Sequence, residues 1–105
     1  MMQKGNELFA VQTPLGITVR TTEEYWQYLI TTKHPIMNGK EAIVRAALTN
    51  PTEVRQSRSD NEVFLYYAQF DKRYCVVVKQ QGITGFVITA YPVDKIKEGD
   101  VVWKK

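Results

Sequence analysis

Two periodicities divide the chain near Thr52. Between Thr21 and Asn50 apolar residues recur at helical spacing; from Thr52 onward they alternate. At the N-terminus, Phe9-Ala10-Val11-Gln12 and Ile17-Thr18-Val19-Arg20 flank Thr13-Pro14-Leu15-Gly16, whose Pro and Gly suit a turn, so a short hairpin is expected. Thr21-Thr22-Glu23-Glu24 fits a capping box, and Tyr25, Trp26, Tyr28, Leu29 and Ile30 form the apolar stripe of a helix over 22–32. Pro35 disfavours helical geometry at His34, which therefore lies just past that helix. Asn38-Gly39-Lys40-Glu41 starts a second helix through Ala42, Ile43, Ala46, Ala47 and Leu48, stopped by Asn50-Pro51. Strands are then expected over 53–57, 62–70, 73–80 and 85–93, joined as an antiparallel meander. Val101-Val102-Trp103 is a further apolar segment, either an edge strand or a docking segment.

Loop lengths set an expected register. A two-residue Asp71-Lys72 loop puts Phe70 opposite Arg73, a three-residue loop puts Gln81 opposite Gly85, and a four-residue loop puts Ser57 opposite Glu62. Val77 then faces Thr89, and Cys75 faces Tyr91. One face would carry Val54, Val63, Leu65, Tyr67, Val76, Val78, Phe86, Ile88 and Ala90, an apolar set for the helices to cover. The other would carry Glu53, Arg55, Ser57, Phe64, Tyr66, Lys79, Thr89 and Tyr91, a mixture of cations, hydroxyls and rings. That open face is the expected seat of chemistry.

With 105 residues, 44% hydrophobic and 24% charged, the chain suits a single globular domain. A net charge of +3 permits a polyanionic partner without demanding one. The N-terminal residues lack the apolar core of a signal peptide and no long apolar run occurs, so a cytoplasmic protein with no membrane partner is expected. Cys75, the single cysteine, lies in an apolar run and reads as a buried strand residue. No nucleotide-binding glycine motif, zinc motif or nucleophile elbow occurs, so neither a metal nor a cofactor is expected. Histidine has an ordinary pKa near neutrality, which makes His34, the sole histidine, the natural general acid or base if the chain is catalytic; from the residues alone, a solvated helix end is the favoured reading. Arg55, Arg58 and Lys79 could grip a phosphate, although each is also an ordinary surface charge. Thr89 and Tyr91 are common strand formers raised above the ordinary by their neighbours. The tail Val93 to Asp100 alternates in charge like a solvated turn, with Lys95 and Lys97 able to border a groove.

His34-Pro35, the run Ala47-Leu48-Thr49-Asn50-Pro51-Thr52-Glu53-Val54-Arg55-Gln56-Ser57, and the series Val63 to Tyr67, Val76 to Lys79, Gly85 to Tyr91 and Lys95 to Trp103 carry a resemblance. In order and spacing, from about residue 20 onward, they resemble the phage-associated branch of the barnase, EndoU, colicin and RelE-like nucleases. The resemblance implies an α+β core over 21–105, two short helices on one face of a four-stranded antiparallel sheet, with 1–20 a hairpin extension. It also implies metal-independent cleavage of RNA on the open face. The matching positions make His34, Arg55, Thr89 and Tyr91 the catalytic candidates. Ser57, Tyr66, Lys79 and Lys95 would bind substrate, Tyr66 by stacking a base. A toxin or phage-derived effector of this type would have an antitoxin or immunity protein as partner. A degenerate copy of the same scaffold would be a non-catalytic RNA- or protein-binding module.

Overall fold

The computed structural model describes residues 6–105. β1 (Glu7–Gln12) and β2 (Thr18–Thr22) form the expected hairpin, turned at Gly16 with φ 81°. α1 (Glu23–Tyr28) starts where the Thr22 hydroxyl accepts from Tyr25 N at 3.1 Å, and continues into a π-helical turn at Leu29–Lys33. Ile30, Thr31 and Thr32 are β-branched and crowd an α-helical turn; the wider turn ends with His34 N donating to Leu29 O at 2.8 Å. A 3-10 turn at Pro35–Met37 leads to α2 (Glu41–Thr49). The remaining strands are β3 (Glu53–Gln56), β4 (Val63–Gln69), β5 (Arg73–Gln81), β6 (Thr84–Pro92) and β7 (Asp100–Lys104).

The α+β class and the two short helices are as expected, but the four-stranded antiparallel sheet is not. One mixed sheet of seven strands runs in the order β1-β2-β6-β5-β4-β3-β7. The extra strands cover both edges of the β3 to β6 meander. β2 pairs in parallel with β6 over Thr18–Arg20, and β7 pairs antiparallel with β3. Both additions satisfy backbone groups that the meander alone would leave open. The hairpin also buries Phe9, Ile17 and Val19 in the main core.

That core lies between the helical layer and one sheet face. Trp26, Leu29, Val44, Ala47 and Leu48 pack over Val54, Tyr66, Val76, Val78 and Val87. Each valine or leucine among them contributes about 1.5–3 kcal/mol when removed from water. The register differs from expectation by single residues, and each slip turns a side chain over. Gln69 pairs with Arg73 across a three-residue loop, so β4 presents Phe64, Tyr66 and Ala68 to the helices and Val63, Leu65 and Tyr67 to the other face. Gln56 pairs with Phe64, lengthening the β3–β4 connection as well. The β5–β6 loop is shorter than expected, Gln81 pairing with Thr84, but a bulge at Ile88 restores the residue. Val77 therefore does face Thr89, and Cys75 does face Tyr91. Between turn and bulge the alternation is inverted, leaving Phe86 48% exposed and Val87 fully buried.

Candidate functional site

The connection from β6 to β7 decides how much of the second face is open. The two strands sit on opposite sides of β5, β4 and β3, so Val93 to Gly99 crosses that face as a strap. Ile96 packs on a small second core of Leu65, Tyr67 and Cys75, with Val77, Tyr91 and Val93 beside it. Gly99 lies directly over β3, where a Cβ would stand 2.6 Å from Gln56 O. The expected open face is thus a floor partly roofed by its own chain.

Across this floor the pairing aligns side chains in rows. Arg55, Leu65, Val77 and Thr89 form one; Glu53, Tyr67, Cys75 and Tyr91 form the next. Arg55 and Thr89 stand at opposite ends of their row, three strand spacings or about 14 Å apart along the backbone. Arg55 Nε donates to Glu53 Oε2 at 2.6 Å, and the Arg55 guanidinium also reaches Gly99 O at 3.4 Å. It is held at the strap's landing point. Lys79 is likewise occupied, 3.0 Å from Asp60 and 3.3 Å from Glu62, and these carboxylates hold its ammonium above the usual lysine range. Ser57 Oγ lies 3.1 Å from Ser59 Oγ and accepts from Ser59 N, so it serves the β3–β4 turn. Lys95 is exposed on the strap.

Tyr66 requires the clearest correction. Expected on the open face as a stacking ring, it is fully buried beneath the helices, its hydroxyl donating to Thr13 Oγ1 at 3.0 Å. Burial raises its pKa, and the hydrogen bond to Thr13 acts the other way. The β4–β5 loop, one residue longer than expected, turned it inward. Tyr67 takes its place on the strap side.

The structure does bring His34 and Tyr91 together. Beyond Phe86, β6 parts from β2, and its edge is capped by the helical layer instead. Tyr25 Oη donates to Ile88 O at 2.6 Å, and Lys33 Nζ lies 3.5 Å from the same oxygen. These anchors hold the π-helical turn against the edge and set the half-buried His34 ring 5.1 Å from the Tyr91 ring, tilted by 44°. Thr89 lies two residues before Tyr91 on the same face. Its Oγ1 is buried without a partner among the described residues, hydrogen-bonding capacity that the fold does not use.

Beside this corner, the Cys75 thiol lies between the Tyr67 and Tyr91 hydroxyls. Burial pushes it up to about 12, which outweighs the hydrogen bonds from both tyrosines, so it is no ready nucleophile. Burial also raises both tyrosines, helped by Cys75 and by Glu98 of the strap. Arg73 sits next to the corner, with Val93 donating to Arg73 O at 2.9 Å; its guanidinium donates to Asp94 O. The Arg73-Cys75-Val77-Lys79 alternation carried the signal for Arg73, which sequence reasoning passed over. Among the described residues, no group of three or more His, Cys, Asp and Glu could hold a metal ion. No helix there is long and apolar enough to cross a membrane. Compared with known families, characterised proteins and solved structures, the chain matches none.

Proposed function

We propose that the protein is a metal-independent endoribonuclease with His34 at its reacting centre. The observation that carries this reading is the placement of the sole histidine against Tyr91, on the strand that also presents Thr89 with its unused hydroxyl. The resemblance of the chain to the phage-associated barnase, EndoU, colicin and RelE-like nucleases supports it, since His34, Thr89 and Tyr91 are three of the positions that resemblance marks. In the reaction, a ribose 2′-oxygen loses its proton and attacks the adjacent phosphorus. The 5′-oxygen leaves and is protonated, giving a 2′,3′-cyclic phosphate and a free 5′-hydroxyl. His34 serves as the acid or the base, and Tyr91 orients the imidazole. Arg55 and Lys79 take no part, because each already holds a carboxylate and Arg55 lies across the sheet from Thr89.

The test is incubation of purified protein with mixed RNA in EDTA beside His34→Ala, followed by analysis of fragment ends. Wild type is expected to leave cyclic phosphate ends, and His34→Ala to lose on the order of 10²-fold or more in rate. Equal cleavage by both proteins removes His34 from the mechanism. The engagement of Arg55 and Lys79 in ion pairs favours one second reading, a non-catalytic RNA- or protein-binding module. RNA bound but left intact by wild type would establish its RNA-binding form.

A further inference from the structure

The cations of this fold divide by whether they already have a partner. Arg20 pairs with Glu7, Arg55 with Glu53, Arg58 with Asp100, and Lys79 with Asp60 and Glu62. Among the described residues the other cations have no carboxylate in ion-pairing range. Lys33, Lys40, Arg45, Lys95, Lys97 and Lys105 are scattered over the fold, whereas strand pairing places Lys72, Arg73 and Lys104 at one end of the sheet. Glu53 pairs with both Tyr67 and Lys104, and Gln69, two residues on from Tyr67, pairs with Arg73. The paired Arg58 and Lys79 lie toward the opposite end, where Gln56 pairs with Asp100 and Val63 with Lys79.

Two of these three, Lys72 and Arg73, line a cleft beside the His34 corner, and Lys104 lies three strands away along the same sheet end. Gln69, Lys72, Arg73, Pro92, Val93 and Asp94 line an open cleft of 660 Å³, within the size range of small-molecule sites. The Asp94 backbone oxygen accepts from the Arg73 guanidinium and holds it in place. The Asp94 carboxylate offsets one of the two lining cations, so the cleft keeps a net positive charge. Arg73 and Tyr91 are diagonal neighbours across β5 and β6, about 7–8 Å apart along the backbone. That is comparable to one phosphate step of an extended RNA strand.

We propose that this cleft seats the RNA phosphate next to the one held at His34 and Tyr91, with the strand continuing along the sheet end toward Lys104. The inference rests on the ribonuclease reading and adds to it the path of the backbone. An unpaired cation gains more from a phosphate than one that must first release a carboxylate. Binding through such contacts also releases counterions and is therefore salt-dependent.

The test is fluorescence anisotropy with a labelled 2′-O-methyl oligoribonucleotide, which binds but has no free 2′-hydroxyl to attack, across a KCl series. Lys72→Ala/Arg73→Ala is compared with Arg20→Ala/Arg45→Ala, which loses the same charge elsewhere. On a single strand each phosphate contact contributes roughly 0.7 to the slope of log affinity against log salt. The cleft variant is expected to lose about 1.4 from that slope and the control to keep it. Lys72→Ala alone, on an exposed turn where only the backbone of Lys72 is hydrogen-bonded, is expected to lose about 0.7 and guards against misfolding of the double variant. Equal slopes for wild type and the cleft variants, or equal losses in cleft and control variants, overturn the cleft assignment alone if wild type still cleaves plain RNA. A wild type that neither binds nor cleaves overturns the functional reading and the cleft together.

Discussion

Replacing Arg55 tests whether this residue serves chemistry or architecture. Its guanidinium is 2.6 Å from the Glu53 carboxylate, with side-chain exposures of 21% and 10%, so water screens the pair weakly. Arg55→Ala leaves the less exposed partner, a carboxylate, without its counter-charge. Breaking a fully buried pair from one side costs about 3–5 kcal/mol, and the partial exposure here brings the expectation to about 2–3 kcal/mol. Glu53→Ala is expected to cost less, about 1 kcal/mol, because the longer and more exposed arginine can turn its guanidinium into water. The double variant should fall short of the sum of the singles by about 1–2 kcal/mol. Urea unfolding followed by the fluorescence of Trp26 and Trp103 measures all three, and cleavage assayed where each variant is folded separates stability from rate. An Arg55→Ala protein within about 0.5 kcal/mol of wild type would refute the structural assignment. A large rate loss in folded Arg55→Ala with none in folded Glu53→Ala would return Arg55 to the catalytic set.

Three further outcomes follow from the same geometry. Tyr66→Phe removes the bond to Thr13 and is expected to lower unfolding free energy by about 1 kcal/mol while leaving RNA affinity unchanged; a loss of affinity in the folded variant would contradict its burial. Gly99→Ala forces a side chain onto φ 83° and within 2.6 Å of Gln56 O, so a cost of about 2 kcal/mol or more is expected. Gly16→Ala, with similar φ but open space, should cost only about 1 kcal/mol, and equal costs in thermal unfolding would show that the strap does not bear on β3. Cys75 has its pKa raised from 9.0 to about 12 in the fold, so its contribution to stability is complete below about pH 9. That contribution is lost as pH rises toward 12, because the unfolded thiol ionises first. Urea midpoints should therefore fall less steeply over this range in Cys75→Ala than in wild type, and identical slopes would contradict the burial of the thiol.

Local signals in the sequence were sufficient wherever a neighbour a few residues away decides the conformation. Thr22 caps α1 and Gly16 turns the hairpin. Asn50-Pro51 stops α2, and period-two alternation marks the four meander strands. The Val77–Thr89 and Cys75–Tyr91 pairs were legible only because a shorter turn and the Ile88 bulge offset each other. A bulge has no dependable signature in composition, and its effect on facing is all or none. The fate of Tyr66 shows the same sensitivity. One residue more in the β4–β5 loop moved Tyr66 to the core and Tyr67 under the strap, while the hydrophobicity of the strand stayed as it was.

The sequence by itself therefore determined the α+β class, the positions of the helices and strands, and the isolation of His34 as the one side chain suited to proton transfer near neutrality. Tertiary structure alone decided that the sheet has seven strands, that Val93 to Gly99 roofs the presumed open face, and that Arg55 and Lys79 are consumed by carboxylates. It also decided that His34 meets Tyr91 at the edge of β6. The physical reason is range. Capping, turn formation and alternation are fixed by interactions among near neighbours along the chain. Sheet edges, ion-pair partners and the crossing of a strap are chosen by which distant segment best satisfies an open backbone edge or an uncompensated charge.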